Sequence, residues 1–289
     1  MADKILTFNG KTISGPSGTG MVMITEPEPA LPPMTLRFQF SKSDYDPTEE
    51  SFSRNFQGNW TKVESQYNQW DWTCDSDNWG SIFSEAFTDT ENLVSIIDAG
   101  DTSSVTDTSA MFERCSSLIS IVLFDTSNVT YMIGMFVGCS SLETVPLFNT
   151  SNVTEMIYMF TDCSSLENVP LFDTSNVTDM YAMFQNCTSL ETVPLFNTSN
   201  VTDMSMAFQS CESLREIPLF DTSNVESMFQ TFTDCYKVQH GALALYQQAS
   251  SQQNPPSNYT LCFENCGVDT ETGRDELNEI PSSWGGWGS

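Results

Sequence analysis

The sequence predicts an α/β repeat solenoid of 24-residue coils, closed by distinct N- and C-terminal caps. Three observations carry this prediction. A cysteine returns at Cys115, Cys139, Cys163, Cys187, Cys211 and Cys235. Within each unit the apolar positions change period, from steps of three or four to steps of two. The repetition stops on either side of residues 86–238, where the composition changes.

Each unit opens with D/N-T-S-N/S-V, at Asp101, Asp125, Asn149, Asp173, Asn197 and Asp221. A Met-Phe pair follows (Met111–Phe112, Met135–Phe136, Met159–Phe160, Met183–Phe184) and weakens to Ala207–Phe208 and Thr231–Phe232. The cysteine stands three residues after the Phe, and an apolar residue three further on: Leu118, Leu142, Leu166, Leu190, Leu214, Val238. In one unit Val153, Met156, Met159, Phe160, Cys163 and Leu166 step at helical spacing. The Ser and Asn before Val153 suit a helix start. Leu166, Val169 and Leu171 then read L-x-x-V-x-L, ending on the alternation of a short strand that Pro170 interrupts. A strand, a polar turn and a short helix cannot bury an apolar face alone, and stacked copies share one core.

Stacking turns equivalent residues into rows. The cysteines read as one buried row of reduced thiols: six side chains that point the same way neither pair readily nor surround a metal ion. Asn128, Asn152, Asn176, Asn200 and Asn224 form a second row, with amides bonded to the turn backbone of adjacent coils. Their Asn-Val-Thr triplets match the glycosylation sequon, but a buried structural role is the expectation.

Outside the repeats, residues 1–35 read as an attachment segment. A hairpin turn is expected at the Asn-Gly of "KILTFNGKTI", and "TEPEPALPP" as a stiff linker. Residues 36–85 read as an aromatic-rich N-terminal cap, with "LRFQF" as a strand and Trp60, Tyr67, Trp70, Trp72 and Trp79 close in sequence. Such a cluster also suits a carbohydrate platform. The solenoid itself is 86–238, its first unit the unequal "AFTDTENLVSIIDAG". Residues 239–289 read as a C-terminal cap and Gly-rich tail: a helix at "GALALYQQASSQ", an echo of F-x-x-C in "CFENCG", a further helical turn at "RDELNEI" and a loose "PSSWGGWGS".

Ten Lys and Arg against 38 Asp and Glu leave a net charge of −28, which repels nucleic acid and anionic lipid. Neither nucleic-acid binding nor membrane insertion is therefore expected, and no secretory leader is visible, which places synthesis in the cytoplasm. One His, no nucleophile motif and no glycine-rich phosphate loop argue against catalysis. No cofactor and no metal are expected. Binding residues are sought where side chains differ between units on a constant frame: Tyr131, Ile133, Ile157, Tyr158, Tyr181 and Phe229, among Ser109, Ser205, Ala110, Gly134, Ala182, Met206 and Gln230. Packing at a helix edge is the other reading of these residues. Glu143, Glu167 and Glu191 make a like-charge row, read as a solvated face.

The form "DTSNVT-M-MF-x-x-C-SSL" resembles the BspA-like class of leucine-rich repeats found in bacterial surface proteins and mycoplasma-type lipoproteins. The resemblance covers about residues 86–238. It implies a right-handed leucine-rich-repeat solenoid used for binding, commonly to a protein or glycan on a cell surface. The Asn follows the strand later than in the better-known leucine-rich pattern, so a less regular convex side is expected. The ends "LTFNGKTISGPSGTG" and "ELNEIPSSW" resemble repeat proteins encoded by gut bacteriophages. Together these imply a virion appendage or decoration, held to other virion proteins through residues 1–35. The alternatives are a bacterial cell-surface adhesin, located at the cell surface or outside the cell, and a carbohydrate-active enzyme using the tryptophan-rich region.

Overall fold

The computed structural model describes residues 102–288 in full and, before them, strands β1 (Ile5–Phe8), β2 (Lys11–Ser14), β3 (Thr35–Phe40), β4 (Asn59–Lys62), β5 (Gln69–Thr73) and β6 (Leu93–Ala99). Met1–Pro32 forms one compact unit and Pro33–Ser289 another. In the first, β1 and β2 pair antiparallel from Ile5↔Ser14 to Phe8↔Lys11, as an apolar pair of segments around Asn-Gly demands. The Asn-Gly turn and the proline linker lie outside the described residues, as do Tyr67 and Trp79.

In the second unit a five-stranded sheet runs β4-β5-β3-β6-β7, where β7 is Ser120–Ile121. "LRFQF" lies in its middle strand β3, and Trp60 is in register with Trp72 in the pairing of β4 and β5. Its last pair is parallel, Ser95↔Ser120 and Ile96↔Ile121, so the sheet leads directly into stacked coils. From there equivalent residues pair in parallel every 24 positions: Asp107↔Tyr131↔Glu155↔Asp179↔Asp203↔Ser227 on one side, Asn168↔Thr192 and Glu216↔His240 on another. This chain of single bridges is a repeat solenoid. The strand side is as short as its prolines require.

The helix expected at 153–166 is not there. Four successive turns replace it, closed by Met159 N–H to Met156 O (3.3 Å), Thr161 to Tyr158 (3.1 Å), Cys163 to Phe160 (3.1 Å) and Leu166 to Cys163 (3.1 Å). Positive φ at Tyr158 (57°) and Asp162 (62°), each third in its turn, is the type II geometry. The alternate amides, of Met156, Tyr158, Phe160 and Asp162, donate to Asp179, Tyr181, Met183 and Gln185 of the next coil at 2.8–3.1 Å. The reason is width. A helix is about 10 Å across, whereas the stacked rings of neighbouring coils are 5.4 Å apart. Turns stack at that spacing and leave every second N–H for the neighbouring coil. The polar opening of each coil is not a helix cap either: Asp173 Oδ1 accepts from Ser175 N–H at 3.0 Å, an Asx turn.

The core is a set of rows. Phe112, Phe136, Phe160, Phe184, Phe208, Phe232 and Phe263 stack at 5.2–5.8 Å. Beside them run the buried cysteines. Cys163 Sγ donates to Phe136 O at 3.1 Å, and Cys139, Cys187, Cys211 and Cys235 repeat the bond at 3.0–3.2 Å. Buried Thr102, Thr126, Thr150, Thr174 and Thr198 donate to the following coil at 2.8–3.0 Å, a row the sequence reading missed. The asparagine row bonds as expected: Asn128, Asn152, Asn176, Asn200 and Asn224 Nδ2 donate to Ser carbonyls of the preceding coil at 2.6–2.7 Å. These side chains are exposed rather than buried.

One correction bears on the surface. L-x-x-V-x-L places Val169 and Leu171 on one face, but Val169 is buried and Leu171 is 59% exposed. Phe172 N–H donates to Pro170 O at 2.9 Å, closing a three-residue γ-turn on Leu171. The turn reverses the alternation, so Phe172 enters the core and Leu171 leaves it.

At the C-terminal end, helices α1 (Ala242–Ser250) and α2 (Glu271–Glu279) form where "GALALYQQASSQ" and "RDELNEI" suggest. The Glu276 carboxylate accepts from Leu243 N–H at 3.0 Å and from Gly241 N–H at 3.3 Å, covering the free amides that open α1. Gly241 has φ 105°, and a Cβ there would meet Ile217 O at 2.1 Å, so no other residue fits. "CFENCG" supplies the last rung, with Phe263 on Phe232. The tail is packed, not loose: Trp284 is buried against Tyr259 at 4.3 Å and closes the stack.

Candidate functional site

The variable positions emerge from the turn side of the coils. Ile133, Ile157, Tyr181 and Phe229 share one row and are half-buried, while Tyr131 and Tyr158 in the rows beside it are exposed. Tyr158 occupies the positive-φ position where Gly134 stands one coil earlier, and this throws its ring outward across the neighbouring row. It meets Tyr181 edge-on, ring centroids 5.1 Å apart. The Tyr181 hydroxyl points to Met206 Sδ at 3.6 Å, which holds that ring down. Burial, then the Tyr181 hydroxyl, pushes the Tyr158 phenol above its ordinary range.

Tyr131, Ile133, Ile157, Tyr158 and Tyr181 thus lie on three successive coils. Phe229 is not part of this group: Ser205, between it and Tyr181, is buried and interrupts the row. Tyr131 belongs to the bridge row whose other members are mostly acidic, Asp107, Glu155, Asp179 and Asp203. Asp179 accepts from Tyr181 N–H at 2.8 Å, yet its pKa is raised, first by burial and then by Asp203 and Glu155. The patch is therefore aromatic and apolar with an acidic border.

The patch offers aromatic and aliphatic contact surface. Burial drives the thiols of Cys139, Cys163, Cys187, Cys211, Cys235, Cys262 and Cys266 far toward the neutral form, which removes them as nucleophiles. Among the described residues no three His, Cys, Asp or Glu come together as a metal site, and no helix is long and apolar enough to cross a membrane. A second surface was not foreseen. Leu123, Leu147, Leu171, Leu195 and Leu219 form an outward row, each 52–60% exposed. The repeated Leu-Phe dipeptide was its only signal.

The family described as "Mycoplasma protein of unknown function, DUF285" matches residues 81–193 and 167–254, together more than half of the chain. The chain belongs to this family. Among solved structures, the DUF285 chain is similar to the T. pallidum leucine-rich repeat protein TpLRR, at 20% identity and a TM-score of 0.46, over 64% of this chain and 81% of that one. It is also similar to a leucine-rich repeat protein from Eubacterium ventriosum ATCC 27560, at 25% identity and a TM-score of 0.35, over 44% of this chain and 33% of that one. No curated protein matches it. The DUF285 chain is a repeat solenoid of stacked coils.

Proposed function

We propose that this is a non-enzymatic binding protein carried on a phage particle as an appendage or decoration, whose solenoid recognises a protein or glycan on a bacterial or host surface. The observation that carries the reading is the patch of Tyr131, Ile133, Ile157, Tyr158 and Tyr181: outward side chains that change from coil to coil on a frame that does not. Aromatic rings held at a surface by neighbours are suited to protein and sugar recognition, because they bury large area with little loss of rotamer freedom. Support for a particle-borne protein is the separate compact unit of residues 1–32 ahead of the solenoid, suited to attachment to other virion proteins. The net charge of −28 disfavours nucleic acid and anionic membrane as ligands. A cell-surface adhesin is the second reading, favoured by the likeness of the coils to bacterial surface proteins.

The double variant Tyr181→Ala, Ile157→Ser tests the patch. Folding stability should change by no more than about 1 kcal/mol, while attachment of the labelled protein to host cells falls. Unchanged attachment would remove the patch from the function. Mass spectrometry of purified particles decides between the two settings: the phage reading requires the protein in virions, and the adhesin reading requires it on producing cells instead.

A further inference from the structure

A second apolar surface lies at another position of the coils from the tyrosines. Leu123, Leu147, Leu171, Leu195 and Leu219 occupy the same place in five successive coils and stay more than half exposed. The core does not require leucine there. The γ-turn needs only a residue that tolerates its backbone, and Phe148, Phe172, Phe196 and Phe220 already close it through bonds of 2.8–3.0 Å to Pro146, Pro170, Pro194 and Pro218. Any polar side chain would meet that need at less exposed apolar area. Contiguous leucines on this scale make a patch on the order of a few hundred Å², the size at which apolar surface marks an interaction site. Between the first two of them the surface dips into a shallow cavity lined by Leu123, Leu147, Asp125 and Asn149.

Charge selects the occupant. Two residues after the leucines run exposed Asp125, Asn149, Asp173, Asn197 and Asp221; four residues before three of them run exposed Glu143, Glu167 and Glu191. Hydrogen bonds from Ser175 and Ser223 hold the Asp173 and Asp221 carboxyls below their ordinary pKa. Arg215 lies at the far end, already paired with Glu191 at 2.8 Å. The row is thus an apolar strip between two acidic borders. A second copy would bring like borders together and add the repulsion of two chains at −28 each. An anionic bilayer is repelled in the same way.

We propose that the leucine row binds a basic protein segment, one that lays a line of apolar side chains along the strip and sets Lys or Arg against both acidic borders. This surface is separate from the tyrosine patch and stands whether or not that patch binds cells.

The test uses the full chain and a synthetic amphipathic peptide of leucine and lysine as probe, with a leucine–glutamate peptide of the same pattern as control. The lysine peptide should bind, more weakly as salt rises, and the glutamate peptide should not. The triple variant Leu147→Asn, Leu171→Asn, Leu195→Asn keeps every charge and should weaken binding by at least about tenfold. The variant Asp125→Asn, Asp173→Asn, Asp221→Asn places at each site the residue already present at Asn149 and Asn197, so it folds, and it should flatten the salt dependence. Equal binding by the leucine variant overturns the proposal. So does loss of its cooperative unfolding, which would make the row structural. Sedimentation showing a wild-type dimer that the leucine variant dissolves would reassign the row to self-association, and it too overturns the proposal.

Discussion

The inner row of Phe124, Phe148, Phe172, Phe196 and Phe220 and the outer row of Leu123, Leu147, Leu171, Leu195 and Leu219 are made of adjacent residues in the same five coils. All of the phenylalanines are buried and all of the leucines are mostly exposed. Both residue types are strongly apolar, so hydrophobicity alone does not assign the faces. Backbone parity does. A strand would send Leu171 inward with Val169, and the γ-turn between Pro170 and Phe172 exchanges the two. Where a local turn sets which side a residue faces, one residue of offset decides between core and docking surface.

The comparison can be broken from the inside first. Phe172→Ala removes a ring packed between Phe148 and Phe196 at 6.4 Å and should cost about 3–5 kcal/mol in urea unfolding. Pro170→Ala tests the device that sets parity. It keeps the carbonyl that Phe172 bonds to and loses only the fixed φ, so a loss of about 0.4–1 kcal/mol is expected; a loss as large as that of Phe172→Ala would show that the ring itself holds the turn. Leu171→Asn sharpens the contrast from outside: stability should stay within about 0.5 kcal/mol of the parent. If Leu171→Asn proved as damaging as Phe172→Ala, the two rows would be one core.

What the sequence made legible follows from what repetition encodes. A residue that returns every coil must meet its own copy. The buried thiols and the Asn-to-carbonyl bonds could therefore be read from Cys163 and Asn176 alone, as could the last rung from Phe263 and Cys266. Backbone geometry was not legible in the same way. Val153, Met156, Phe160 and Cys163 face inward at helical spacing because each turn, like each helical turn, returns the chain to the core after three or four residues. Side-chain periodicity reports facing, not which carbonyl an amide bonds. The local signs of the turns were Gly134 and Gly138, at positions held elsewhere by Tyr158, Ala182 and Met206 and by Asp162, Asn186 and Ser210, all at positive φ. The tyrosine patch was visible as variation on a constant frame. The burial of Ser205, which detaches Phe229 from it, depends on packing across coils and was not.

The hydrogen bonds between coils have a directional order with a consequence for how this chain changes over generations. Each coil reaches back with a cysteine and an asparagine, and forward with a threonine. Every interior coil therefore offers the same two mating surfaces. A copied or deleted coil leaves its former neighbours complementary, so a change in coil number adds or removes whole storeys without a new fold having to be found. Both exposed rows would then lengthen or shorten by one rung at a time, so that grip strength can be inherited as a number of copies.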